Sequence, residues 1–169
     1  MESRPVHWYE LKDGAPDFGR RLRRFLQLVI SPADVWLCMR MMLWAIVLPL
    51  LKILIPVKSL ARFMWMSPRT PVKNVEQEQK IAIIVRWIYL LVLSSKKNCV
   101  ERSLLLYRFL SRTNSDPTLV TGLRQLEDGT WKGHAWILVN GVPFGETESN
   151  VEDFKTLVIF GRHGAIIEH

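Results

Sequence analysis

Apolar positions along this chain follow a helical period first and a strand period afterwards, with the change after Leu110. From Phe18 to about Val29, Leu22, Phe25, Leu26 and Val29 fall on one side of a basic helix. Ser31, Pro32 and Asp34 then read as a helix start: Ser31 caps, and Pro32 lies in the first turn, where its missing N–H costs nothing. The segment 35–57 is the most apolar in the chain. Arg40 and Lys52 leave only Met41–Leu51 uncharged, with Pro49 inside. A membrane span needs roughly 20 apolar residues, so two buried or interfacial helices meeting near Pro49–Pro56 are expected. Residues 75–93 form a long helix on Ile81, Ile84, Val85 and Ile88, and a further helix runs from Cys99 to about Leu110.

Beyond that helix the runs are short and rich in β-branched and aromatic residues. Strands are predicted at 117–126, 130–139, 142–146 and 154–160, with Asp128-Gly129 and Asn140-Gly141 as hairpin turns. Helices followed by antiparallel strands make an α+β fold. Pro68 and Pro71 mark a linker over 65–74. There the charge changes too: residues 1–73 hold 12 Lys+Arg against 5 Asp+Glu, the whole net charge of +7, while 74–169 are neutral. The expected division is a basic, apolar helical region at 1–73 and a core at 74–169.

Composition narrows the classes. A hydrophobic fraction of 49% with 23% charged residues is that of a globular chain. Two cysteines without CxxC spacing give neither a disulfide framework nor a zinc site, and no cofactor or metal motif is present. The polar first 30 residues do not resemble a signal peptide, which points to the cytosol. Peripheral membrane contact through residues 20–57 is a second possibility for the basic, apolar front. No nucleic-acid motif accompanies the charge, so nucleic acid is not an expected partner.

The chemistry centres on Cys99. Asn98 and Glu101 have the spacing of a capping box, which makes Cys99 the first residue of its helix. Unpaired backbone N–H groups and the positive end of the helix dipole favour a thiolate there; the alternative is a cysteine packed as core, as Cys38 is read. His134, in Gly133-His134-Ala135-Trp136, is the histidine placed within a predicted strand, whereas His163 lies in a glycine-flanked turn. A cysteine–histidine pair needs a third polar group to set the imidazole, and Glu146 is the candidate, with Glu148 in reserve. A two-residue turn at Asn140-Gly141 pairs Ala135 with Glu146 and points the carboxylate away from His134. A three-residue bulged turn instead brings it to the histidine's face, and Gly145 can also supply a bulge.

In this order the motifs resemble the transglutaminase-like cysteine enzymes. Residues 98–110, 119–124 and 133–146 are more closely similar to the leader peptidases of lasso-peptide biosynthesis. That resemblance implies a papain-type core, a central helix packed on an antiparallel sheet, with a cysteine–histidine–acid triad that removes the leader from a ribosomally made precursor peptide. Carried over by position, Cys99 is the nucleophile, His134 the general base and acid, and Glu146 stands where the family usually has aspartate. The resemblance also implies as partners the precursor, a separate leader-recognition protein and the macrocyclising enzyme. Two other readings stand beside it: acyl transfer to an amine by the same triad, and a non-catalytic membrane-peripheral adaptor.

Overall fold

A computed structural model describes residues 31–68, 72–91 and 98–167. The expected helix at 18–29 and its arginine cluster lie outside these residues. Helix α1 spans Pro32–Leu54, α2 Val57–Met64, α3 Val75–Leu91 and α4 Cys99–Leu110. A 3-10 turn at Ser111–Thr113 leads into strands β1 (Thr118–Gln125), β2 (Trp131–Val139) and β3 (Val142–Pro143). A short helix α5 (Glu148–Val151), strand β4 (Lys155–Phe160), a 3-10 turn at Arg162–Gly164 and strand β5 (Ile166–Ile167) complete the fold. The strands form one antiparallel sheet in the order β3-β2-β1-β4-β5, so the α+β expectation holds.

Ser31 caps α1 as its sequence predicts. Its hydroxyl accepts from the Asp34 N–H at 3.1 Å, and the Asp34 carboxylate reaches back to the Ser31 N–H. Two helices meet within Pro49–Pro56, as expected: α1 continues through Pro49 to Leu54, and the chain turns at Ile55 and Pro56. Two adjacent extended residues there stop the helix, whereas an interior proline costs one hydrogen bond that a packed helix tolerates. By length and composition alone, α1 is long enough and apolar enough to cross a membrane, although the uncharged run between Arg40 and Lys52 had been expected to be too short for that.

One core runs from α1 to β4. It gathers Met41, Ala45 and Leu48 of α1, Leu60 and Met64 of α2, Ile81, Ile84 and Val85 of α3, and Leu119, Ile137 and Phe160 of the sheet around α4. Residues from both sides of position 73 therefore share it. Helix α4 is the central element, with Leu104, Leu105, Tyr107, Phe109 and Leu110 buried. The Tyr107 hydroxyl donates to the Gly161 carbonyl and accepts from the Gly164 N–H at 3.1 Å, tying the far end of α4 to the turn before β5. A smaller cluster of Val120, Trp136, Val151, Phe154 and Ile159 covers the other sheet face.

The candidate active site

Cys99 is the first residue of α4, as expected, and the Arg102 N–H donates to the Asn98 carbonyl at 2.9 Å to open the helix. The predicted capping box is not formed: no side chain makes a cap hydrogen bond here. Glu101 turns inward instead and meets Lys52 of α1 at 2.5 Å, with only 3% of its side chain exposed. A carboxylate buried that deeply must pair with a cation, and Lys52 outcompetes the backbone N–H for it. Cys38 packs against the core, where burial pushes its thiol up, as its reading as core requires.

Further along α4, the Ser103 hydroxyl donates to the Ala135 carbonyl at 2.8 Å. Cys99 lies one helical turn before Ser103, so this bond fixes the height of the helix tip against the strand residue next to His134. On β2, Ala135 and Ile137 point into the core under α4, while His134 and Trp136 face the other way. The His134 ring lies among aromatic neighbours, stacked on Trp136 at 5.9 Å between centroids and tilted against Phe154 at 5.1 Å. Gly122 stands directly opposite His134 on β1. A Cβ at Gly122 would lie 2.9 Å from both the Trp136 ring and the Lys155 carbonyl, so this face is assembled over a residue without a side chain.

The acid meets the histidine. Nε2 of His134 is 2.7 Å from Oε2 of Glu146, which is only 8% exposed. The hairpin reaches this contact by neither of the expected turn geometries alone. Asn140-Gly141 is a two-residue turn, with Val139 opposite Val142 and Leu138 opposite Pro143, the register that was to carry the carboxylate away. However, β3 stops at Pro143, and Gly145 adopts φ +76°, a conformation glycine takes without cost. The chain leaves the strand plane there and swings Glu146 round to His134. Glu148, the reserve candidate, opens α5 two residues later.

Arg102 was not foreseen. Its guanidinium pairs with the same Glu146 carboxylate from α4. The signal was available: residues three apart on a helix share a face, which puts Arg102 beside Cys99. Its charge lies within electrostatic reach of the Cys99 thiol and of the His134 ring. Burial, then the positive charges of Arg102 and Lys132, push the His134 pKa down to about 4. The Glu146 carboxylate pulls the other way, but Arg102 neutralises it. A neutral imidazole bound to a carboxylate carries its proton on Nε2, which leaves Nδ1 as the basic nitrogen. Among the described residues no hydrogen bond joins the Cys99 sulfur to this ring; Arg102 and Glu146 form the link between α4 and β2.

An open cleft of about 360 Å³ lies beside the pair, with Arg102, Arg124, Lys132, His134, Glu146, Ser149, Asn150 and Phe154 in its walls. The described residues contain no cluster of three or more His, Cys, Asp or Glu that could hold a metal ion.

No curated protein and no solved structure showed a significant match to this chain. The sequence model of the transglutaminase-like superfamily did match, over residues 43–159, from within α1 to β4. With that match covering well over half of the chain, the protein belongs to the transglutaminase-like superfamily.

Proposed function

We propose that this protein is a cysteine peptidase that removes the leader from a ribosomally made, lasso-type precursor peptide, with Cys99 as nucleophile, His134 as base and acid, and Glu146 as the residue that orients the ring. One observation carries the reading: the 2.7 Å contact from Nε2 of His134 to Glu146, which fixes the tautomer and frees Nδ1 to take a proton. In this mechanism the His134 ring, which its strand turns to the face away from the α4 core, closes onto the helix tip, and Nδ1 accepts the Cys99 proton as the sulfur attacks the scissile carbonyl carbon. The tetrahedral oxyanion is stabilised by the Cys99 backbone N–H at the helix tip. Nδ1–H then protonates the departing amine, leaving a thioester. Water, deprotonated by the same nitrogen, hydrolyses the thioester and restores the thiol. Arg102 holds Glu146 in place and keeps the ring neutral, the form a base requires.

Superfamily membership supports cysteine-dependent acyl chemistry. The finer reading rests on residues 98–110, 119–124 and 133–146, which resemble the corresponding segments of the leader peptidases. A separate leader-recognition protein and the macrocyclising enzyme are the partners this reading calls for.

The test is to incubate a lasso-type precursor with its leader-recognition protein and this chain, and to weigh the products. Hydrolysis gives free leader and core peptides whose masses sum to the precursor plus one water. Cleavage that persists in Cys99→Ala overturns the reading. An amine adduct in place of the hydrolysed product assigns the same triad to acyl transfer instead.

A further inference from the structure

Helix α1 is apolar on both sides, and among the described residues one side packs against the domain. Met41, Ala45 and Leu48 are fully buried against the domain. The opposite side carries Trp36, Met39, Leu43, Ile46, Leu50 and Ile53, spaced alternately three and four residues apart. These form a continuous seam along the helix. Exposure is high along the whole seam: 60% at Trp36, 62% at Leu43 and 79% at Ile53. A stripe of this length is more than a monomer ordinarily leaves in water.

We propose that α1 docks in the plane of an anionic lipid bilayer, with this seam immersed and the rest of the domain above it. The inference is independent of the peptidase reading. Three observations favour lipid over a partner helix. First, the positions flanking the seam are Val35, Met42, Pro49, Val47 and Leu54, with Arg40 the one charge among them. A helix partner is selected by charges at those flanks, whereas lipid asks only for width. Second, the surroundings are cationic. Lys58 and Arg62 are exposed on the neighbouring α2, and Arg20, Arg21, Arg23 and Arg24 precede α1 in sequence. Cations of this kind beside an apolar stripe match anionic headgroups. Third, α1 is held to the domain by the Lys52–Glu101 pair and by the Lys80–Asp34 pair at 3.3 Å. It therefore lies flat on the membrane, because crossing would tear Met41, Ala45, Leu48 and both ion pairs out of the domain.

Flotation of the full chain with vesicles tests this. Wild type floats with mixed phosphatidylcholine–phosphatidylglycerol vesicles, floats less with phosphatidylcholine alone, and releases as salt rises. Leu43→Glu/Leu50→Glu, both at exposed sites, leaves the far-UV circular dichroism unchanged and weakens binding at least about tenfold, from the apolar area withdrawn from lipid. Brominated lipid quenches wild-type tryptophan emission more than that of Trp36→Phe. Wild type that stays at the bottom of the gradient, or a double variant that floats as well as wild type, overturns the proposal. So does light scattering that shows a dimer dissociated by the double substitution without any flotation, which would assign the seam to a second copy.

Discussion

Replacing Arg102 with methionine removes the one cation that meets Glu146 from α4 while keeping most of the side chain's apolar stem. Taking away one partner of a fully buried ion pair costs about 3–5 kcal/mol, because the other charge is left without compensation. Glu146 is 8% exposed, but Arg102 is 34% exposed, so water screens part of the pair. His134 also remains 2.7 Å away and takes up a proton to replace the lost charge. These two effects bring the expected cost down to about 2 kcal/mol, or a fall of roughly 4–8 °C in Tm for a chain of this size. The companion readout is the ring itself. Arg102 is one of the charges that hold His134 near pKa 4. Without it, and with Glu146 no longer neutralised, the His134 pKa rises by at least about one unit. Thermal unfolding and NMR titration of the His134 ring measure the two effects on one sample. In the Arg102→Met/Glu146→Gln double variant the losses are less than additive by about 1–3 kcal/mol. An Arg102→Met protein within about 0.5 kcal/mol of wild type, with the His134 titration unmoved, refutes the linkage of α4 to β2 through this carboxylate.

Lys52→Met strands the Glu101 carboxylate in the core; urea unfolding should show a loss of about 2–4 kcal/mol, recovered in large part by adding Glu101→Gln. Stability should also depend on pH through His134. Its folded pKa lies near 4, below the ordinary 6.5, so the unfolded chain takes the proton first. Stability is therefore full above about pH 6.5 and falls by about 3 kcal/mol as the pH drops to 4; His134→Asn flattens that part of the profile. Gly122→Ala drives a methyl group into the Trp136 ring and the Lys155 carbonyl, so a loss of about 1–3 kcal/mol is expected, with a changed near-ultraviolet tryptophan signal.

Much of this architecture is legible in the residues themselves. The strands of the central hairpins and the span of α4 follow from period and turn chemistry, which are local. Cys99 as first helical residue and His134 on a strand follow from the same signals. What sequence did not reveal were choices made by tertiary partners. Glu101 has the spacing of a cap, but a lysine 49 residues earlier in the chain claims it. The turn at Asn140-Gly141 obeys its residues, yet the face Glu146 reaches is decided by the left-handed Gly145 and the early end of β3. The junction of two helices was legible within Pro49–Pro56, but not that α1 runs past Pro49 and ends at Leu54. Arg102 went unnoticed because its role depends on the distant Glu146.

The most direct test of the central claim is the rate at which iodoacetamide alkylates Cys99 at neutral pH, followed by peptide mapping so that Cys38 is counted separately. The proposed mechanism predicts that Cys99 is alkylated faster than Cys38 and that His134→Ala removes that advantage. A Cys99 that labels as slowly as Cys38, or at the same rate with and without the His134 ring, would contradict an activated nucleophile at the tip of α4.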